Sequence, residues 1–150
     1  MTLEEAIKTS GFQSQRHKAA VNLMFTAYQL KSRIAQVLKN YALTPEQYNV
    51  LRILKGSHPS PLCVRDIACR MIERNSNVPR IADRLELKKL VKRTISPEDR
   101  RETLMQITPA GLNLLEIANK VIESTQDEIV AISESQAAEL NQLLELMLKE

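Results

Sequence analysis

The stretch that decides the fold reads SNVPRIADRLELKKL, Ser76–Leu90, and is followed by SPEDRR, Ser96–Arg101. On a helix, the apolar residues of the first segment fall at i, i+3, i+4 and i+7 and form one stripe to be buried: Val78, Ile81, Ala82 and Leu85. A second stripe, about a quarter turn away, carries an amide and three cations: Asn77, Arg80, Arg84 and Lys88. We therefore predict one packed face and one face whose groups suit phosphates and base edges in a major groove.

The second segment, Ser96–Arg101, lies between two β-prone runs, and we predict strands at Leu90–Ile95 and Glu102–Thr108. Ser96-Pro97-Glu98-Asp99 supplies the turn chemistry between them. A basic helix followed by a basic hairpin tip is typical of a winged helix-turn-helix that binds double-stranded DNA.

Helical periodicity and capping signals predict the remaining helices. Their ranges are about 17–40, 45–55, 64–71, 109–132 and one that follows a capping box of Ser133 and Gln136. Thr44 and Gln47 form a capping box at the start of the second helix, and Gly56 is the predicted C′ residue that ends it. Ser76 is the predicted N-cap of the helix with the basic stripe, with Pro79 at N3.

The charge distribution indicates which part of the chain contacts a polyanion. Residues 1–64 carry 8 basic and 3 acidic groups (+5), residues 65–110 carry 11 and 7 (+4), and residues 111–150 carry 2 and 8 (−6). A polyanion is attracted to the first two regions and repelled by the third. With 3% aromatic residues and no tryptophan, the composition counts against a binder of single-stranded nucleic acid, which needs stacking platforms.

The sequence also indicates a compartment. It contains no apolar run near the ~20 residues of a membrane span, and the segment MTLEEAIKTSG lacks the apolar centre of a secretory signal. Two cysteines without such a signal suggest a reducing environment. We expect a cytoplasmic protein that does not bind membranes.

The outer helices are long and apolar along one side, more than a small winged region needs for support. An apolar face without a partner in its own chain finds one in another chain, so we predict a two-fold symmetric homodimer. Such a dimer presents two recognition helices to half-sites about one helical turn apart, on a pseudo-palindromic operator.

Several short segments together resemble the MarR family of transcriptional regulators, over the chain from about residue 17 onward. They are LTPEQY (43–48), NVPRIADRL (77–85), LVKR (90–93), DRR (99–101) and ITPAG (107–111). The resemblance implies a mainly α (α+β) fold: a single domain over 1–150, with a winged helix-turn-helix at about 43–110 between dimerisation helices at about 1–42 and 111–150. It also implies a dimeric regulator, a repressor or occasionally an activator. We expect no cofactor.

The resemblance implies roles for the wing. A wing-tip arginine, Arg100 or Arg101, would enter the minor groove, and Asp99 would hold the wing in shape through an ion pair. The chain departs from the family at two positions: Pro79 replaces a usual Ser or Thr, and Lys89 replaces a usual Gly. If the backbone at Lys89 has a positive φ, the residue is strained there.

The predicted DNA contacts are Asn75, Ser76, Asn77, Arg80, Arg84, Lys88, Arg100 and Arg101. The alternative for each is a solvated side chain, and a winged-helix interaction module that does not bind DNA remains open. No nucleophile–base pair or carboxylate dyad indicates an enzyme. His17 and His58 stand apart from other ligands and do not predict a metal site.

Two further sensing roles remain open. Cys63 and Cys69 suggest either small buried thiols or a redox-sensing regulator. Tyr28, Tyr41 and Tyr48 either pack with their hydroxyls at an edge or line a cavity for a small aromatic or anionic effector, such as relatives in the family bind.

Overall fold

The computed structural model describes residues 1–148, so the last two positions of the predicted C-terminal dimerisation region, 149 and 150, lie outside the described residues. The elements in chain order are α1 (Leu3–Ile7), α2 (Gln15–Lys39), α3 (Pro45–Ser57), β1 (Leu62–Cys63), α4 (Val64–Arg70), α5 (Val78–Leu87), β2 (Val91–Ile95), β3 (Thr103–Ile107), α6 (Pro109–Ile129) and α7 (Glu134–Glu145). This is the predicted mainly helical winged helix-turn-helix.

The small sheet forms the wing and anchors it to the helices. β2 and β3 pair antiparallel, with Val91 opposite Ile107 and Ile95 opposite Thr103, so both predicted strands are confirmed to within one residue at each end. β1 adds a third strand on the other side of β3, with Leu62 opposite Met105. The sequence did not predict β1, because two residues are too few to show an alternating pattern.

Local capping chemistry decides most helix starts. The N–H of Gln47 donates to Thr44 Oγ1 at 3.1 Å, and the N–H of Thr44 donates to Gln47 Oε1 at 3.2 Å, which confirms the capping box of α3. The prediction that Gly56 ends this helix is wrong, since α3 continues to Ser57. His58 ends it with ψ 135°, because the residue before a proline is driven out of the helical region.

The recognition helix α5 is shorter than predicted at both ends. Its N-cap is Asn77 instead of Ser76: Asn77 Oδ1 accepts from the N–H of Arg80 at 3.2 Å, and Ser76 donates its hydroxyl to the Glu73 carbonyl at 2.8 Å. The helix ends at Leu87, and Lys89 follows with φ +60°. The condition under which Lys89 would be strained, a positive φ, is therefore met.

A close approach joins the wing to α6. The N–H of Thr108 donates to the Leu90 carbonyl at 3.0 Å, and Thr108 caps α6 by accepting from the N–H of Gly111 at 3.1 Å. A Cβ atom on Gly111 would lie 2.2 Å from the Leu90 oxygen. Only glycine fits this contact, which fixes α6 against the start of β2.

The core lies between α3, α5, the sheet and the first half of α6. Its fully buried side chains include Leu51, Leu54, Ile67, Leu85, Met105 and Leu115. The apolar stripe predicted on α5 is buried at Val78, Ala82 and Leu85, and Ile81 packs partly against the same cluster.

The outer helices leave apolar side chains in solvent. Those on α2, α6, α7 and the segment after it include Leu23, Met24, Tyr28, Ile117, Val121, Leu140, Leu143, Leu146, Met147 and Leu148. α7 has no buried residue at all. Over residues 1–148, no helix combines the length and the apolarity needed to cross a membrane.

Candidate nucleic-acid interface

The recognition helix turns its basic stripe outward. Arg80 and Arg84 are exposed, whereas Val78, Ala82 and Leu85 on the other side are at most 1% exposed. The two stripes that the sequence predicted therefore occupy opposite environments, and the guanidinium groups do not point into the scaffold.

A shallow concavity of about 380 Å³ runs beside this stripe, between the starts of α3 and α5. Five predicted DNA contacts line it together: Asn75, Ser76, Asn77, Arg80 and Arg84. Glu46 and Glu73 also line it and place two carboxylates at the edge of this basic surface. The surface formed by the five residues is called the α5 surface below.

The polar residues at the start of α5 are partly engaged within the chain. The amide oxygen of Asn77 caps the helix, so its NH₂ group, with two donors, is the part that can face a ligand. Ser76 uses its hydroxyl hydrogen on the Glu73 carbonyl and keeps the oxygen as an acceptor.

Lys88, the C-cap of α5, is hydrogen-bonded within the chain. Its ammonium donates to the carbonyl of Ala42 and to Gln47 Oε1, the latter at 3.1 Å. These bonds join the end of α5 to the junction of α2 and α3, across more than 40 residues of sequence. These bonds give Lys88 a positioning role within the chain. The residue is also exposed, and its predicted DNA contact stays a prediction.

The wing tip is built on backbone hydrogen bonds. Ser96 is 5% exposed and its Oγ accepts from the N–H groups of Glu98 and Asp99 at 3.3 and 3.4 Å. Asp99 Oδ1 accepts from the N–H of Arg101 at 2.9 Å. Within residues 1–148 Asp99 forms no ion pair, so the predicted ion pair is corrected to a side-chain cap of the turn. Arg100 and Arg101 are exposed at the tip.

An ion pair that the sequence analysis missed joins the wing to the recognition helix. Arg93 Nη2 on β2 lies 2.6 Å from Asp83 Oδ1 on α5 and donates to the Pro79 carbonyl at 3.2 Å. Arg93 shares a strand face with the buried Val91. A cation on the inner face of a strand needs a partner, and that pattern was the available signal for this contact.

The comparisons with known proteins agree with this geometry. The family model described as "MarR family" matches residues 43–103. A MarR transcription factor from Planctomyces limnophilus, of known crystal structure, is 31% identical, with 91% of this chain and 98% of that chain covered and a TM-score of 0.71. The chain belongs to the MarR family.

Two further likenesses concern regulators and the fold. The HTH-type transcriptional repressor IacR of Pseudomonas putida is 31% identical over 113 residues, which cover 75% of this chain and 66% of that protein. The MarR-family regulator Sco3205 of Streptomyces coelicolor, solved in complex with DNA, shares the fold with a TM-score of 0.79 at 18% identity, covering 91% of this chain and 88% of that chain. This MarR-family chain is a DNA-binding transcriptional regulator and not an enzyme.

A cavity of about 530 Å³ lies between α2, α3, α6 and the turn at 71–77 that precedes the recognition helix of this MarR-family chain. We call it the interhelical cavity. Its apolar walls come from Ala27, Leu30, Ile34, Met71, Ile72 and Ile122, and its cations are Lys31 and Arg52. Tyr48 also lines it and donates its hydroxyl to Asn119 Oδ1 at 2.6 Å, whereas Tyr28 and Tyr41 are not among its lining residues.

Lys31 on α2 pairs with carboxylates from two other elements at the rim of this cavity. Its ammonium is hydrogen-bonded to Glu73 and lies 3.9 Å from Glu46 Oε1. The hydrogen bond with Glu73 raises the pKa of Lys31. We call these three residues the Lys31 cluster.

The two cysteines differ in environment. Cys63 is buried and caps α4, accepting from the N–H of Asp66 at 3.4 Å. Burial raises the pKa of the Cys63 thiol, which disfavours the thiolate that redox chemistry needs. Cys69 is exposed.

Proposed function

We propose that this MarR-family chain is a homodimeric repressor that binds a pseudo-palindromic operator and is released from it by a small-molecule effector. The observation that carries the DNA-binding part is the outward-facing pair Arg80 and Arg84 on a helix whose opposite face is buried. The exposed arginines of the wing tip and the charge of +4 on residues 65–110 support it.

In this proposal α5 lies in the major groove. Arg80 and Arg84 contact base edges, and Asn75, Ser76 and Asn77 contact bases or phosphates at the start of the helix. Arg100 or Arg101 enters the adjacent minor groove, and Asp99 holds the wing turn. Lys88 stays a predicted contact, whose ammonium also bonds to Ala42 and Gln47.

The exposed apolar residues of the outer helices support the homodimer. α7 buries nothing within its own chain although Leu140, Leu143 and Met147 lie along it or just beyond it. Large contiguous apolar surfaces mark interaction sites, and the acidic charge of residues 111–150 is expected to keep this part away from DNA. The outer helices then set the spacing between two copies of α5.

Repression and release are the finer parts of the proposal. A dimer bound to an operator blocks other proteins from the same DNA, and the similar protein IacR is a transcriptional repressor.

The interhelical cavity has the size of ordinary small-molecule sites, and it touches both α2 and the turn before α5. The dimer can hold its two recognition helices at more than one spacing. An effector that binds one of these states more tightly changes operator affinity by the difference between its binding free energies for the two states. A cytoplasmic location follows from this role.

The decisive experiment selects an operator from randomised duplex DNA and compares variants on it. Arg80→Ala removes from each half-site a base contact worth about 1–3 kcal/mol, so affinity should fall by about 5- to 150-fold for each half-site, with relaxed preference at one position of each. Arg101→Ala should weaken binding with little change in folding. Lys120→Ala is the matched control, since it removes one exposed cation from the acidic part of the chain and should leave affinity unchanged.

Two outcomes would contradict the proposal. If Arg80→Ala and Arg101→Ala both bind like the parent, the docking geometry is wrong. If the parent chain shows no salt-dependent binding to any duplex at low ionic strength, the alternative of an interaction module without DNA binding is correct.

A further inference from the structure

Leu87, the last residue of α5, is a large apolar side chain on the outward side of the recognition helix. It is 83% exposed, whereas Leu85, two residues earlier, is completely buried. Arg80, Arg84 and Leu87 occur at i, i+4 and i+7, the spacing that brings side chains onto one face of a helix. Leu87 therefore extends the stripe of the two arginines and does not belong to the packed stripe.

Helix geometry gives the place of Leu87 relative to these arginines. Side chains of an α-helix tilt toward its N-terminus, so Leu87 leans over the turn that carries Arg84. With a rise of about 1.5 Å per residue, Leu87 lies about 4.5 Å along the axis from Arg84 and about 10 Å from Arg80. Base pairs are about 3.4 Å apart, so these distances correspond to about one and about three base-pair steps.

The surroundings of Leu87 are cationic. A shallow concavity of about 430 Å³ adjoins the α5 surface and is lined by Leu87 together with three cations: Lys39, Arg84 and Lys88. Within residues 1–148, no carboxylate lines it. Because Arg84 also lines the concavity beside the basic stripe, the two concavities form one continuous surface that ends at Leu87.

This combination of charge and apolar exposure selects the partner. A cationic surface attracts the phosphates of a duplex, and the one apolar group that bases present in the major groove is the C5-methyl of thymine. Docking of the same surface on a second copy would instead bring Arg84 and Lys88 against their own equivalents, and like charges repel. Double-stranded DNA therefore fits this end of α5 better than a second protomer does.

We propose that Leu87 contacts the C5-methyl group of a thymine in each half-site and is a specificity-determining residue of this regulator. The inference rests on the proposed function and names one base that the recognition helix selects. Non-specific binding depends on cations and phosphates, so Leu87 should affect the choice of operator without affecting affinity for random duplex DNA.

The first test leaves the protein unchanged and uses the operator selected above. The position whose preference is relaxed by Arg80→Ala marks the base pair that Arg80 contacts, and the thymine should lie about three base pairs from it. Replacing that thymine by deoxyuridine in one half-site removes only the methyl group. Affinity should fall about fourfold, the value of burying one methyl group. The same replacement at a thymine outside the half-sites should leave affinity unchanged.

The second test asks whether the response belongs to Leu87. Leu87→Ala should bind the thymine and deoxyuridine operators with equal affinity, and Leu87→Met, which keeps an apolar side chain of similar volume, should still distinguish them. Ile72→Ala is the matched control, because Ile72 is 85% exposed but lies before α5, and it should keep the full response. All three variants should bind random duplex DNA like the parent.

The outcomes separate this inference from the proposed function. If the parent binds its operator but deoxyuridine changes nothing at any thymine of the half-site, or Leu87→Ala still distinguishes the two operators, the inference is wrong and the DNA-binding proposal stands. If Leu87→Ala weakens self-association in sedimentation equilibrium, Leu87 belongs to a contact between protomers and the inference is also wrong. If the parent binds no duplex at all, the proposed function has failed and the inference fails with it.

Discussion

The winged region and the outer helices use the same kind of apolar periodicity in opposite ways. In the winged region, Leu51 on α3 and Leu85 on α5 are completely buried within the chain. On α7, Leu143 remains 60% exposed and no residue is buried. A helical apolar stripe in a sequence therefore indicates only that the helix needs a partner surface. Whether that surface belongs to the same chain depends on where the helix lies in the fold.

The largest difference should appear when one leucine is shortened in each region. Leu51→Ala leaves a cavity in a fully buried site, and comparable substitutions cost about 2–5 kcal/mol. Leu143→Ala should change the stability of the separate chain by less than about 0.5 kcal/mol. Urea unfolding at two protein concentrations measures both, since a loss that varies with concentration belongs to assembly. If both variants lost the same free energy of unfolding at both protein concentrations, the proposed difference between the two regions would be wrong.

Assembly can be tested at the exposed faces with charge. Leu143→Glu places a carboxylate on the apolar side of α7, and burying it at an interface without a partner is unfavourable. We expect sedimentation equilibrium to show a dimer dissociation constant at least tenfold higher than that of the parent, a loss of about 1.4 kcal/mol in the free energy of association. Leu87→Glu is the control: Leu87 is 83% exposed but lies on α5, so this variant should remain as associated as the parent. A monomeric parent at micromolar concentration would refute the dimer.

Features fixed by neighbouring residues were predictable from sequence, and features fixed by distant contacts were not. The capping box of Thr44 and Gln47 lies within four consecutive residues and was predicted with its partners. The position of Lys88 was not, because its acceptor at Ala42 is 46 residues away. The N-cap of α5 lies between these cases: Ser76 and Asn77 both suit an N-cap, and the bond from Ser76 to Glu73 decides it.

The same limit applies to the candidate site. The stripe with Arg80 and Arg84 follows from helical spacing alone, so its exposure was predictable. The Lys31 cluster brings together α2, α3 and the turn before α5, and no short segment of sequence contains that information. The place of Asp99 in the wing turn was predicted from the residues around it, but its role came from the family resemblance, which implied an ion pair where Asp99 Oδ1 accepts a hydrogen bond from a backbone N–H.

A smaller effect should distinguish ion pairs in the two regions. Asp83 and Arg93 lie 2.6 Å apart with Arg93 26% exposed, whereas Glu116 and Lys120 on α6 lie 3.8 Å apart and are both largely exposed. A double-mutant cycle with Asp83→Asn and Arg93→Met should give a coupling energy of about 0.5–1 kcal/mol, and the pair on α6 at most about 0.3–0.5 kcal/mol. The wing pair should also couple in operator binding, since it orients the wing relative to α5. Equal coupling energies in the two pairs would mean that the shorter distance and lower exposure of the Asp83–Arg93 pair do not strengthen it.

The smallest expected effect concerns the turn where α5 passes into the wing. Lys89 has φ +60°, a conformation that costs an ordinary residue about 1 kcal/mol or more. Lys89→Gly removes that cost but raises the conformational entropy of the unfolded chain, which lowers stability by about 0.4–1 kcal/mol. The net gain in the free energy of unfolding should be about 0.5 kcal/mol. The carbonyl at this position accepts from Thr108 Oγ1 at 2.8 Å, and glycine retains that acceptor. Lys92→Gly is the control, because Lys92 is an extended residue of β2 where glycine only destabilises, by about 0.5–1 kcal/mol. Opposite signs in urea unfolding would identify the backbone conformation as the cause, because both variants lose one lysine charge; equal losses would show that the turn at Lys89 carries no strain.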